Sequence, residues 1–444
     1  MVASLLYYMK FCDSLKKLGF KPNPYEPCVQ NRMINGSQQT ICFHVDDCKV
    51  SHVDPKVNDE LELKLREEYE YIMEDGSGKM KVHRGKVHDY LGMTLDYSEK
   101  GICQVSMPKF IDEVLNNFKR IMPNSKGGKT SAAPRNLFEV KESCDKLPKN
   151  KRELFYSIVA KILFATKRAR PDTATAISFL MTRTQAPDTQ DWSKLEHLLC
   201  YIKETKDLPL RLSATEDWTL RWWIDGSHAV HPNMRGHTGG GLSLGLGFPI
   251  SHSGKQKLNT SSSTETELVA VDDLMPTILW TKQFLEEQGH VVDDNLIYQD
   301  NQAAILLERN GKLSSGKRTK HINTRYFFVT DRISTGEVSV DWCPTEDMTG
   351  DFWTKPLQGS QFRRMRDQVM GVTPQPKPRK KKPKQSETTV RQNDKNIHSA
   401  AGVRWNPSTG DTEDPTCVEV DPTRRKLCRV RQYSTPPPAP TPGT

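Results

Sequence analysis

Apolar positions in the first 120 residues switch between helical and strand-like spacing. Leu5, Tyr8, Met9, Phe11, Leu15 and Leu18 repeat at helical intervals, and Gly19 supplies a stop. Strand-like runs follow at 27–31 and 40–51, with Asn35-Gly36 between them as a hairpin signal. Residues 87–97 read as a further strand. The span 107–121 predicts an amphipathic helix with Phe110, Ile111, Val114, Leu115, Phe118 and Ile121 on one face.

Residues 122–149, rich in Lys, Pro, Ser and Gly, read as a linker. The stretch 151–205 reads as mostly helical, divided at Pro171 and Pro187. A second pattern begins near 217. Strands at 218–225, 239–247 and 248–252 precede a long helix from about Thr264, which Pro276 should kink or divide. A strand at 295–300 runs into a helix, another helix follows His321, and a strand at 336–343 leads to a terminal helix near 351–358. That order describes an α/β domain of about 150 residues. Trp222 and Trp223, adjacent on a strand, should face opposite sides, at least one of them a core.

Charge changes the picture at the C-terminal end. The net charge is +9 over 444 residues, and from Val372 onward 14 Lys and Arg stand against 7 Asp and Glu. The body is therefore nearly neutral and the tail basic. Without a core-forming period, and with a Pro-rich end, 372–444 reads as a disordered tail. Its cluster of Arg379, Lys380, Lys381 and Lys382 suits a nuclear-import signal or a salt-sensitive nucleic-acid contact, and equally a plain solvated tail. The ten cysteines include no CxxC pair, which points to reduced thiols and not to a disulfide frame or zinc site. No apolar run approaches the length of a membrane span, and no signal peptide is evident.

Four carboxylates fall at the ends of predicted elements: Asp225, Glu267, Asp300 and Asp351. Two-metal hydrolysis of a phosphodiester needs such a cluster, with ions about 3.5–4 Å apart. On spacing alone, acids in a chain with 27% charged residues are most simply solvated. The words around them are more specific. Ser262-Ser263-Thr264-Glu265-Thr266-Glu267-Leu268, Tyr298-Gln299-Asp300-Asn301-Gln302-Ala303-Ala304-Ile305, Arg318-Thr319-Lys320-His321 and Gly350-Asp351-Phe352-Trp353-Thr354-Lys355-Pro356-Leu357 resemble, in order, words of copia-type retrotransposon ribonuclease H.

The first half carries the same resemblance. Val45-Asp46-Asp47 resembles the reverse transcriptase metal box, with His44 where tyrosine is usual, and Tyr90-Leu91-Gly92-Met93 resembles a later word. Without that context the aspartate pair is equally a plain hairpin tip. The resemblance covers nearly all of 1–371 and implies an α/β and α+β architecture. A partial reverse transcriptase palm (1–105) would precede a helical thumb and connection (106–211). A ribonuclease H-like α/β domain (212–371) and the basic tail (372–444) would follow.

The resemblance further implies that Asp225, Glu267, Asp300 and Asp351 bind two Mg²⁺ ions, or Mn²⁺, and cleave RNA in RNA–DNA hybrids. Glu265 is the alternative to Glu267. Asp46 and Asp47 would be polymerase metal ligands, and Arg168 and Arg170 would contact the phosphate backbone of template-primer nucleic acid. His321 would contact the nucleic acid or, equally, be a satisfied helix-start histidine. The loop 343–350 lacks the histidine that some ribonucleases H place before the last aspartate, which argues against a histidine-assisted product release. The upstream fingers and first palm strand have no counterpart before Met1, so no independent DNA synthesis is expected. An intracellular setting follows, in cytoplasmic virus-like particles or the nucleus, alongside other retroelement polyprotein parts and without a membrane. The competing reading is a decayed or domesticated remnant that binds nucleic acid without catalysis.

Overall fold

The computed structural model describes residues 2–74, 78–121, 128–311 and 323–375. Helix α1 (Val2–Lys17) leads into an antiparallel meander of β1 (Lys21–Asn23), β2 (Glu26–Ile34), β3 (Ser37–His44) and β4 (Asp47–Ser51). Asn35 and Gly36 turn β2 into β3 with φ of 52° and 77°, the left-handed pair that a two-residue hairpin demands. The single strand expected at 40–51 is two, because Val45 (φ 57°) and Asp46 form a second turn.

Helix α2 (Pro55–Tyr69) was not anticipated, although its signals are present. The Asp54 side chain accepts from the Lys56 amide, Pro55 opens the helix, and Val57, Leu61 and Leu65 are buried on one face. Phe11, Leu15, Phe20, Ile41, Phe43, Leu61 and Leu65 form the core of this lobe.

The strand expected at 87–97 is a hairpin of β5 (Val87–Tyr90) and β6 (Met93–Asp96), turned at Leu91 and Gly92 with φ of 51° and 77°. After β7 (Cys103–Ser106), the helices are α3 (Pro108–Ile121), α4 (Lys149–Thr166), α5 (Ala174–Met181) and α6 (Thr189–Glu204). Pro171 and Asp188 open the segments after α4 and α5, close to the divisions expected from the prolines. Strand β8 (Leu210–Ala214) pairs with β7 on one side and with β11 (Gly245–Leu246) on the other. A division at 211/212 would therefore run through a strand of the sheet β11-β8-β7-β6-β5.

The remaining elements are β9 (Thr219–Ser227), β10 (His237–Ser243), β12 (Ile250–Lys255), α7 (Ser263–Glu287), β13 (Asp294–Gln299), α8 (Gln302–Asn310), α9 (Asn323–Ser334), β14 (Ser339–Trp342), α10 (Asp351–Thr354) and α11 (Gly359–Val369). Helix α7 continues through Pro276, where burial of Leu274, Met275 and Ile278 on both sides of the proline holds the turn. The terminal helix expected at 351–358 stops at Thr354, before Pro356, and α11 is additional.

This third sheet has the order β12-β10-β9-β13-β14. Strands β9, β10 and β12 are antiparallel, whereas β13 runs parallel to both β9 and β14. Trp222 enters the core under α7 with Ile224, Leu242, Ala270 and Ile278. Trp223 enters the opposite core with Phe248, Tyr298, Phe352, Trp353 and residues of α4–α6. Both faces of the sheet are thus dry, and truncating either tryptophan should cost about 3–5 kcal/mol. Among the described residues no helix is long and apolar enough to cross a membrane.

Candidate metal centre

The period of two along β9 that separates Trp222 from Trp223 also sends Asp225 to the face of Trp223, opposite Gly239 of β10. Glu267 comes from the first turns of α7 and accepts a hydrogen bond from the Gly226 amide at 2.9 Å. That approach requires a glycine at 226, since a Cβ there would lie 2.6 Å from the Thr266 carbonyl oxygen. Asp300 directly follows β13 and accepts from Thr345 Oγ1 at 3.0 Å. One carboxylate oxygen from each of Asp225, Glu267 and Asp300 falls within 4.8 Å of the others, an arrangement that could hold a metal ion.

Asp351 begins α10 beside this trio. Its Oδ1 is 2.5 Å from Lys355 Nζ, and the same ammonium is 3.9 Å from Asp225 Oδ1. Thr354 Oγ1 donates a short hydrogen bond to Asp225 Oδ2. Asp225, Glu267 and Asp351 are all buried. Burial, followed by the charges of Asp225 and Asp300, pushes the Glu267 carboxyl well above its ordinary range. Burial likewise raises Asp225, with Lys355 opposing. Asp351 is pushed up to about 7 by burial and then by Asp225, again against Lys355. Buried carboxylates this close together cannot all be anionic without cations. The donor set is all oxygen, which suits a hard divalent ion.

Glu265 faces elsewhere. Its carboxylate accepts from the Ser261 amide at 2.6 Å and Ser261 Oγ at 2.7 Å, while its own amide donates to Ser262 Oγ. Glu265 thus completes the cap of α7. Helix α10 is positioned by a chain that sequence reading missed. His231 Nε2 lies 3.0 Å from His237 Nδ1, and His237 Nε2 lies 2.8 Å from Ser253 Oγ, which donates to the Trp353 carbonyl at 2.8 Å. Since the serine donates onward, His237 carries its proton on Nε2 and accepts from His231 on Nδ1. Thr354 and Lys355 were missed too, though Lys355 stands four residues after Asp351, one helical turn away.

Asp46 and Asp47 lie exposed at the β3–β4 turn, with His44 exposed opposite Asp47. They border a cavity of about 290 Å³ lined also by Tyr69, Lys49 and Arg84. Among the described residues no third metal-ligating side chain joins them.

The two arginines expected to meet phosphate part company. Arg168 is half-buried, its guanidinium 3.6 Å from the centre of the Phe164 ring. Arg170 is a correction: it is buried and forms a bidentate pair with Asp172 at 2.9 and 2.7 Å, and it also donates to Thr205. Tyr201 adds a 2.6 Å hydrogen bond to the same carboxylate. The turn after α4 folds this side chain inward, leaving it committed within the protein. His321, Arg379, Lys380, Lys381 and Lys382 lie outside the described residues.

Homologues of this chain are retrovirus-related Pol polyproteins from Ty1/copia-type transposons, at modest identity, as the sequence words implied. A retrovirus-related Pol polyprotein from transposon TNT 1-94 of Nicotiana tabacum is 26% identical over 371 residues. The match spans 82% of this chain and 27% of that protein. A putative transposon Ty5-1 protein of Saccharomyces cerevisiae is 25% identical, over 62% of this chain and 85% of its own length. The Pol polyprotein from transposon RE2 of Arabidopsis thaliana is 30% identical, over 44% of this chain and 13% of its own length. The chain thus spans about a quarter or less of the two Pol polyproteins. No family model and no solved structure matches it.

Proposed function

We propose that the third sheet and its helices form a ribonuclease H-like unit that hydrolyses the RNA strand of RNA–DNA hybrids with divalent metal, Mg²⁺ or Mn²⁺. The observation that carries this reading is the convergence of Asp225, Glu267 and Asp300 within 4.8 Å, with Asp351 alongside. These residues would hold the ions, which when bound supply an activated water and stabilise the leaving oxygen. The chain's own contribution is orientation. Gly226 and Thr354 fix the Glu267 and Asp225 carboxylates through hydrogen bonds, Thr345 fixes Asp300, and the His231–His237–Ser253 chain anchors the helix that carries Asp351.

The first lobe we read as a segment of a reverse transcriptase palm, with Asp46 and Asp47 as its metal-binding pair. Two exposed carboxylates at a turn make a poor divalent site alone, so this chain is not expected to extend a primer unaided. Arg168 remains the candidate phosphate contact of the helical region, as do His321 and the basic cluster 379–382. The test of the main reading is cleavage of a labelled RNA–DNA hybrid by the full chain, with Mg²⁺ or EDTA, beside Asp300→Asn. Cleavage that requires both metal and Asp300 supports it. A folded, metal-supplied wild type that cleaves no faster than the variant rejects it.

A further inference from the structure

We propose that Lys355 is an exchangeable internal cation, occupying the Asp225–Asp351 side of the cluster and competing there with a second divalent ion. This rests on the metal-site reading above and deepens it.

Three observations carry the inference. The four carboxylates do not share one environment: Asp225, Glu267 and Asp300 converge on a common point, whereas Asp351 does not join that group. The one side-chain partner of Asp351 among the described residues is the Lys355 ammonium, at 2.5 Å, and that ammonium also lies 3.9 Å from Asp225 Oδ1. Asp225 is therefore shared between the trio and the lysine. An ion bridging Asp225 and Asp351 would have to take the position that Nζ now holds.

The lysine is also built to leave. Its side chain is 41% exposed, while the two carboxylates it touches are 4% exposed. A buried charge on a short stem would be locked in place, but a compact ammonium on a four-carbon stem can swing toward solvent without moving the backbone. The backbone beneath it is fixed, since the Lys355 amide donates to the Asp351 carbonyl at 3.0 Å and Pro356 follows. Holding two buried carboxylates together as anions without metal requires a positive charge. Lys355 supplies it, at the expense of the affinity for a second ion.

The consequence is unequal metal loading: one ion bound by the trio, and a second bound more weakly because it must displace Lys355. Mn²⁺ binding to the full chain, without nucleic acid, can be followed by the loss of the free-ion electron paramagnetic resonance signal. The wild type should show one tight and one weak site. In Lys355→Met the weak site should tighten at least tenfold, while Lys355→Arg should keep the wild-type pattern. Thermal unfolding without metal serves as the folding control. Lys355→Met should melt lower than wild type in EDTA and recover when Mn²⁺ is added.

Identical Mn²⁺ isotherms for wild type and Lys355→Met would overturn the inference and leave the metal site standing. Loss of the weak site in Lys355→Met would also overturn it, by showing that the lysine supports the second ion. No Mn²⁺ binding by wild type or Lys355→Met, with Asp300→Asn indistinguishable from both, would remove the metal-site reading and this inference together.

Discussion

Two acidic sites in this chain obey different physics. Asp46 and Asp47 sit exposed on a hairpin turn, where each charge is hydrated and the fold loses little by keeping it. Asp225, on the central strand of a sheet with two dry faces, and Glu267 and Asp351, on the helices beside it, are buried, and there each uncompensated charge works against folding. An exposed pair therefore implies nothing without a ligand, whereas a buried cluster must be neutralised, by protons or by a cation. In this structure part of that charge is provided from within, by Lys355.

The contrast is broken most sharply by cleavage assays. Glu267→Gln or Asp225→Asn should reduce hybrid cleavage on the order of a thousandfold. Several kcal/mol of charge stabilisation are withdrawn, at about 1.4 kcal/mol per tenfold. Asp46→Asn and Asp47→Asn should leave the rate within about twofold. If the hairpin variants abolish cleavage and the buried ones do not, the two sites have been assigned the wrong way round.

The arginines repeat the contrast between buried and exposed charge. Arg170→Leu leaves Asp172 buried without its cation and should cost about 3–5 kcal/mol in denaturant unfolding. Arg168→Ala loses a half-exposed stacking contact and should cost less than about 1 kcal/mol. Comparable losses would mean that the buried network is not structural.

Much of this was legible in the sequence where the signal is local. Asn35-Gly36 announced its hairpin because two left-handed residues define that turn. Strand ends and helix starts carry local marks that put Asp225, Glu267 and Asp300 at the ends of elements, but spacing did not single them out; the resemblance of the words around them did. Leu91-Gly92 misled, because an apolar residue at φ 51° hides a turn inside what reads as one strand. The pairing of β8 with β7 and β11 could not be read at all, since register between segments distant in sequence is set by packing. Arg170 was misassigned for a related reason: an arginine in a polar word looks solvent-facing until Asp172 and Tyr201 are folded around it.

The three glycines Gly239, Gly240 and Gly241 carry a smaller test of how the buried site is held. A Cβ at Gly239 would meet Thr354 Cγ2 at 2.5 Å and the Trp353 carbonyl carbon at 2.8 Å, so α10 would have to move. Gly239→Ala should cost about 1–3 kcal/mol of stability. It should also weaken Mn²⁺ binding, because Asp351 and Lys355 move with α10. Lost stability with unchanged metal affinity would show that the position of α10 does not set the site.

The smallest effect is a pH dependence that separates the cluster from the rest of the protein. Asp351, pushed up to about 7, binds more protons folded than unfolded, so it favours folding most below its unfolded value near 3.8. That contribution is lost as pH rises through 7. Glu308, raised to about 8 by burial, acts in the same direction slightly later. Two histidines act oppositely. His231 and His252 are lowered to about 4 by burial, so their contribution grows from pH 4 to their ordinary 6.5 and then levels off. Above pH 6.5 only the raised carboxyls among these groups still titrate. In EDTA the melting temperature should therefore fall by roughly 2 °C or more between pH 6.5 and 8.5, at about 2–4 °C per kcal/mol. On the proposed reading Mg²⁺ would bind the deprotonated cluster, so the gap between Mg²⁺ and EDTA melts should widen over the same interval. Glu308→Gln should flatten part of the EDTA slope without changing that gap. A gap that stays constant with pH would mean the metal does not bind at the titrating carboxylates.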